Sequence, residues 1–80
     1  MKVKLLKKLR KEAHDAYRIV PGDEGTYTVQ VFTNMWDDKR KWLSTLQEAI
    51  AYLDDCRKTR FIQLADKALF ERRVKKLSKY

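Results

Sequence analysis

Residues 17–31 read YRIVPGDEGTYTVQV, and their pattern decides the fold class. Tyr17 and Ile19 share one face of an alternating run, as do Tyr27, Val29 and Val31 of the next. Between the runs, Pro21 presets the backbone for a turn, and Gly22 and Gly25 permit positive φ. The spacing predicts two antiparallel strands, Ala16–Val20 and Thr26–Thr33, joined through Pro21-Gly22-Asp23-Glu24-Gly25.

Downstream lies MWDDKRKWL, residues 35–43. A turn over Asp37, Asp38 and Lys39 would let Arg40–Leu43 pair back onto Thr33–Trp36 as a third strand. Such a turn sets Trp36 opposite Trp42 as a cross-strand aromatic pair. It also places two carboxylates at the hairpin tip, where an anion is repelled, so Lys39, Arg40 and Lys41 would make any phosphate contact.

On the other side of the first hairpin, Leu6, Leu9, Ala13 and Ala16 recur at helical spacing, with Leu5 beside them. Lys4, Lys7, Lys8 and Lys11 occupy the remaining arc. These lysines crowd the positive end of the helix dipole, so the first turn is expected to fray unless an anion sits there. After the third strand, Ser44–Gln47 and Thr45–Glu48 both match a capping box. Leu46, Ala49, Ile50 and Leu53 then make an apolar stripe with Cys56 at its edge. Residues 61–77 are helical as well. A single helix of thirty-odd residues is unusual in a small domain, and Thr59 can cap a new one, so a break is expected near Arg57–Arg60. In this last segment Phe61, Ile62, Leu64, Ala65, Ala68 and Leu69 share one side, whereas Phe70, Val74 and Leu77 lie nearly opposite.

The expected fold is thus α+β, in one domain over residues 1–80: a helix, a three-stranded antiparallel β-meander, then one or two C-terminal helices. Leu6, Leu9, Tyr17, Ile19, Val29, Val31, Leu46, Ile50 and Leu53 are the candidate core. Eighty residues bury only about 60% of the surface of the unfolded chain, so that core is small.

The net charge of +8 is unevenly distributed. Residues 1–11 carry six cations and no anion, 12–38 one cation and six anions, 39–60 six and three, and 61–80 six and two. Solubility alone does not require such segregation, which points to a polyanionic partner. Lys2, Lys4, Lys7, Lys8, Arg10 and Lys11 at one end, Arg72, Arg73, Lys75, Lys76 and Lys79 at the other, and Lys39-Arg40-Lys41 in the second hairpin are the candidate phosphate contacts. Six neutralised phosphates would give a log–log salt slope of about −5.

Other chemistry finds less support. His14-Asp15 lacks a nucleophile, and neighbouring helix residues diverge in direction. Asp23-Glu24, Asp37-Asp38 and Asp54-Asp55 lack the spacing of a calcium loop. The single Cys56 can form no internal disulfide and belongs to no metal-binding cluster. No enzyme activity, cofactor or metal is expected. No apolar run is long enough for a signal peptide or membrane span, and a cytoplasmic location follows. A membrane-surface role for the first helix is set aside, because its leucines are needed to cover the sheet.

The segment KRKWLSTLQEAIAYLDD, residues 39–55, runs from the third strand into a helix. It resembles arm-type DNA-binding domains of integrases and plant ethylene-response-factor domains, where a sheet enters the major groove and a helix braces it. Glu48-Ala49 matches the acidic-alanine pair of that helix, and Trp42-Leu43 the apolar strand end. The match covers about a third of the chain, and Tyr27–Phe32 holds no counterpart of the groove-reading arginines. The element order is also similar to that of double-stranded-RNA-binding domains, but Leu46-Gln47-Glu48 stands where those have lysines. No site is carried over from either family.

The expectation is a non-enzymatic nucleic-acid-binding module, for DNA or RNA, held by backbone contacts. The alternative is a small accessory protein of the phage or mobile-element kind that docks an acidic protein surface, with Phe70, Val74 and Leu77 free for that partner or for a second copy.

Overall fold

The computed structural model describes residues 2–77. Its elements run α1 (Val3–Asp15), β1 (Tyr17–Pro21), a 3-10 turn (Asp23–Gly25), β2 (Tyr27–Phe32), β3 (Trp36–Leu43) and α2 (Leu46–Leu77). The strands form an antiparallel meander in the order β1-β2-β3. This is the expected fold class, and the first hairpin follows the expected turn. The Gly22 N–H donates to the Thr26 carbonyl at 2.8 Å, while Glu24 and Gly25 adopt positive φ of 55° and 74°.

The second hairpin differs from expectation. Its turn falls at Thr33–Met35, where the Thr33 N–H meets the Met35 carbonyl at 3.1 Å, and Asp37-Asp38-Lys39 lie within β3. Trp36 therefore pairs with Phe32, ring centroids 5.3 Å apart, and not with Trp42, which lies farther along the same strand. The earlier turn brings two aromatic rings together and gives Asp38 a cross-strand partner in Gln30, at 3.0 Å. β3 absorbs the mismatch with two bulges. Gln30 pairs with Asp38, Val29 with Arg40 and Tyr27 with Leu43, leaving Lys39 as one extra residue and another between Arg40 and Leu43. At the second bulge Trp42 has φ of 65° and is 60% exposed, a left-handed conformation that costs a bulky residue roughly 1–2 kcal/mol.

α2 is one continuous helix of 32 residues, so the expected break near Thr59 is absent. Thr45 caps it, its Oγ1 accepting the Glu48 N–H at 3.1 Å, and the Glu48 carboxylate accepts the Ser44 N–H at 3.1 Å. Two different partners along α2 explain why no break is needed. Near its start, Ala49 and Leu53 close the sheet core with Val29 and Leu43, flanked by Tyr17, Ile19, Tyr27 and Tyr52. Ala49 is fully buried, whereas Leu46 and Ile50, expected in the core, are 48% and 45% exposed. Only a small side chain permits the helix to approach the sheet this closely, which turns its larger neighbours outward.

Farther along, α1 takes over as the partner. Arg57 donates from Nε to the His14 carbonyl at 3.0 Å and from a terminal nitrogen to the Tyr17 carbonyl at 3.1 Å. The Arg10 guanidinium lies 5.4 Å from the centroid of the Phe61 ring. As α1 runs from 10 to 14, its partners on α2 run from 61 to 57, so the helices are antiparallel. Leu9 and Ala13 are the buried residues of α1, and Phe61, Leu64, Ala65 and Ala68 are half-buried. Because α1 is shorter, α2 projects beyond it and beyond the sheet. The longest dimension is 59 Å and the radius of gyration 16.2 Å, against roughly 12 Å for a compact chain of this length.

Continuity through residues 57–60 is testable. Thr59→Pro removes a helical hydrogen bond and clashes with the preceding turn, and should cost about 3 kcal/mol or more in denaturant unfolding. Two helices capped at Thr59 would lose only the cap, about 1 kcal/mol.

Candidate nucleic-acid interface

Lys4, Lys7, Lys8 and Lys11 follow the i, i+3, i+4, i+7 pattern of one helix face. That face is opposite Leu9 and Ala13, so the four ammonium groups point away from α2, and all four residues are exposed. Lys2 precedes the helix, and neither a capping side chain nor an acidic residue occupies its first turn.

The antiparallel pairing brings the C-terminal cluster to the same end. Counting about 1.5 Å per residue from the Arg10–Phe61 contact, Lys4 comes level with Lys67, and Lys2 with Leu69. Arg72 and Lys75 follow Ala65 and Ala68 by about two turns, so they lie on the side of α2 that α1 covers, just past the start of α1, with Lys76 beside them. Arg73 lies off this line. Two clusters at opposite ends of the sequence thus form one basic end of the molecule. Lys79 lies outside the described residues.

The third cluster stays apart and is divided. Lys39 borders a concavity with Tyr17, Cys56 and Thr59 on the α2 side of the sheet. The Arg40 guanidinium lies 5.7 Å from the centroid of the Tyr52 ring. Lys41 turns to the uncovered face, where its Nζ is 3.4 Å from Asp38 Oδ2. The bulges on either side of Arg40 cause the split.

On that uncovered face a polar chain crosses all three strands, in a manner the sequence reading did not anticipate. Arg18 Nε donates to Gln30 Oε1 at 2.9 Å, and Gln30 Nε2 donates to Asp38 Oδ1 at 3.0 Å. The Arg18 guanidinium lies 4.0 Å from the centroid of the Trp36 ring. The register of the first hairpin, which pairs Arg18 with Gln30, was the available signal. The Gln30 amide holds the Asp38 carboxyl below its ordinary value of 3.8; slight desolvation opposes this, and Lys41 adds to the lowering.

His14 and Asp15, expected to diverge, do meet, with Nδ1 3.2 Å from Oδ1 on an exposed helix end. Among the described residues no group of three His, Cys, Asp or Glu could hold a metal ion, and no helix is long and apolar enough to cross a membrane. Cys56 is half-buried. No protein-family model, curated protein or solved structure matches the chain.

The Asp38 links have a pH signature. A carboxyl depressed in the folded state contributes stability above its unfolded pKa, and this is lost as pH falls through the folded value. Between neutrality and about pH 3, the melting temperature of the native chain should therefore fall more steeply than that of Asp38→Asn. Parallel curves would show that the cross-strand chain contributes nothing.

Proposed function

We propose that the chain is a non-enzymatic nucleic-acid-binding module whose contact surface is the basic end of the α1–α2 pair. The observation that carries this reading is the convergence of the Lys4, Lys7, Lys8 and Lys11 face with Arg72, Lys75 and Lys76. One continuous phosphate backbone can touch both clusters at once, and the uncapped start of α1 adds backbone N–H groups and the positive end of a helix dipole. Lysines on a helix surface contact phosphates as mobile point charges, so affinity depends on charge more than on base sequence. A cytoplasmic location belongs to the same reading.

Lys39, Arg40 and Lys41 have a secondary role at most in this arrangement, because they lie at the sheet and aim in different directions. Asp38 and Tyr52 already engage two of them.

Salt-dependent titrations of a duplex DNA and of an RNA hairpin test the proposal. Replacing Lys4, Lys7, Lys8 and Lys11 with glutamine should flatten the log–log salt slope by about 3 to 4, at about 0.9 per lost phosphate contact. Lys39→Gln with Lys41→Gln should change it by less than about 1. Absence of binding to both probes at low salt would refute the proposal.

A further inference from the structure

The two sides of the α1–α2 seam differ in charge. On one side Glu12 and Asp15 of α1 border a concavity together with Arg60 of α2. On the other, an open concavity of about 320 Å³ is bordered by Arg10, His14, Arg57, Lys58 and Phe61, with no carboxylate among them. Elsewhere too a cation at a concavity meets an acid, Lys41 with Asp23 and Asp38, and Lys39 with Asp55. Among the described residues no carboxylate forms an ion pair with Arg10, Arg57 or Lys58, although Asp54 lies one turn before Lys58 on the same helix. Arg57 sharpens the imbalance. It is half-buried, and of its five N–H groups two donate to the carbonyls of His14 and Tyr17. A cation held partly out of water is ordinarily matched by an anion, and the described residues supply none.

The concavity adjoins the basic end of the helix pair. On α1, Lys7 of the lysine face and His14 share a line two helical turns long, with Arg10 between them. On α2, Lys76 follows Lys58 by five turns, about 27 Å, and falls in line with it; Arg72 lies one turn before Lys76. Ile62, Ala65 and Leu69 fill the turns between, whereas Asp66 and Glu71 are about 80° and 140° round the helix from that line. Given the nucleic-acid reading, on which this rests, we infer that the concavity is a phosphate site, reached by the strand bound at the basic end as it continues along this one side of the seam. A strand carries a charge at about every 3.4 Å of rise, so it meets cations wherever they fall along such a row. The guanidinium groups and the ammonium donate charge-assisted hydrogen bonds to phosphate oxygens. Phe70, Val74 and Leu77, exposed on α2, lie on another side and take no part.

Salt titrations of the full chain with the same duplex DNA and RNA hairpin test the site. Arg10→Gln with Lys58→Gln should flatten the log–log slope by about 2, at about 0.9 per lost phosphate contact, and Lys58→Gln alone by about 1. Lys58 is exposed, so the single variant carries the test if the double one loses its circular dichroism spectrum. The charge-matched control is Lys39→Gln with Arg60→Gln, at the concavity that holds Asp55, which should change the slope by less than about 0.5. His14 is the single histidine of the chain, and its ring resonances report on the site directly. They should shift when either oligonucleotide is added to the native chain, and stay in place in the Arg10→Gln, Lys58→Gln variant. A native slope in both Lys58 variants, with the expected loss on replacing Lys4, Lys7, Lys8 and Lys11, would overturn the site and leave the basic end standing. Equal losses from the Lys58 double variant and its control would overturn it too, since net charge alone would then be at work. So would His14 signals that do not move in the native chain, or that poly-glutamate at equal charge moves as far as the oligonucleotides do. If the native chain binds neither probe at low salt, both proposals fall together.

Discussion

The contact of Ala49 with the sheet is the constraint on which the rest of the structure depends. Ala49 and Val29 are both fully buried, and the approach of a helix to a sheet at an alanine leaves no latitude in which face is turned inward. Because α2 continues unbroken from that contact, the direction of every later side chain is set by it. Phe61, Leu64, Ala65 and Ala68 come to lie on a second side, where α1 packs; Phe70, Val74 and Leu77 return to the first, where the sheet no longer reaches. A helix serving two partners in succession shows no single apolar stripe.

Arg57 joins the three layers. One guanidinium reaches the carbonyl of His14 at the end of α1 and that of Tyr17 at the start of β1. It adds a donor to an acceptor at the end of the helix, and it fixes the level at which α1 lies along α2. That level in turn decides that the basic start of α1 meets the basic end of α2. Repulsion between the clusters is tolerable because both are exposed and screened, and a polyanion relieves it. The sheet contributes no comparable surface, since the charges on its open face are already engaged across the strands.

Much of the fold was legible because local signals agreed with one another. Pro21 and Gly25 punctuate the first hairpin, alternation marks β1 and β2, and Thr45 with Glu48 marks the start of α2. The second hairpin was misread because Asp37 and Asp38 look like turn residues, whereas Asp38 gains a partner in Gln30 only within a strand. A bulged edge strand tolerates polar residues that a central strand would reject. The break at Thr59 was misread because a helix of thirty-odd residues is unusual in a small domain and Thr59 can cap a new one, yet Arg57 ties α2 to α1 and β1, so the helix has a partner on both sides of that point.

For the candidate surface, the sequence by itself determined which residues are cationic, that Lys4, Lys7, Lys8 and Lys11 share a helix face, and that Phe70, Val74 and Leu77 share another. These follow from helical periodicity, a local property. Only the tertiary structure decided that the terminal clusters coincide, that Lys39, Arg40 and Lys41 part company, and that the last apolar residues are left uncovered. Those outcomes depend on the antiparallel pairing of α1 with α2, on two bulges in β3 and on where the sheet ends. Each is a relation between segments distant in the chain, which periodicity cannot encode.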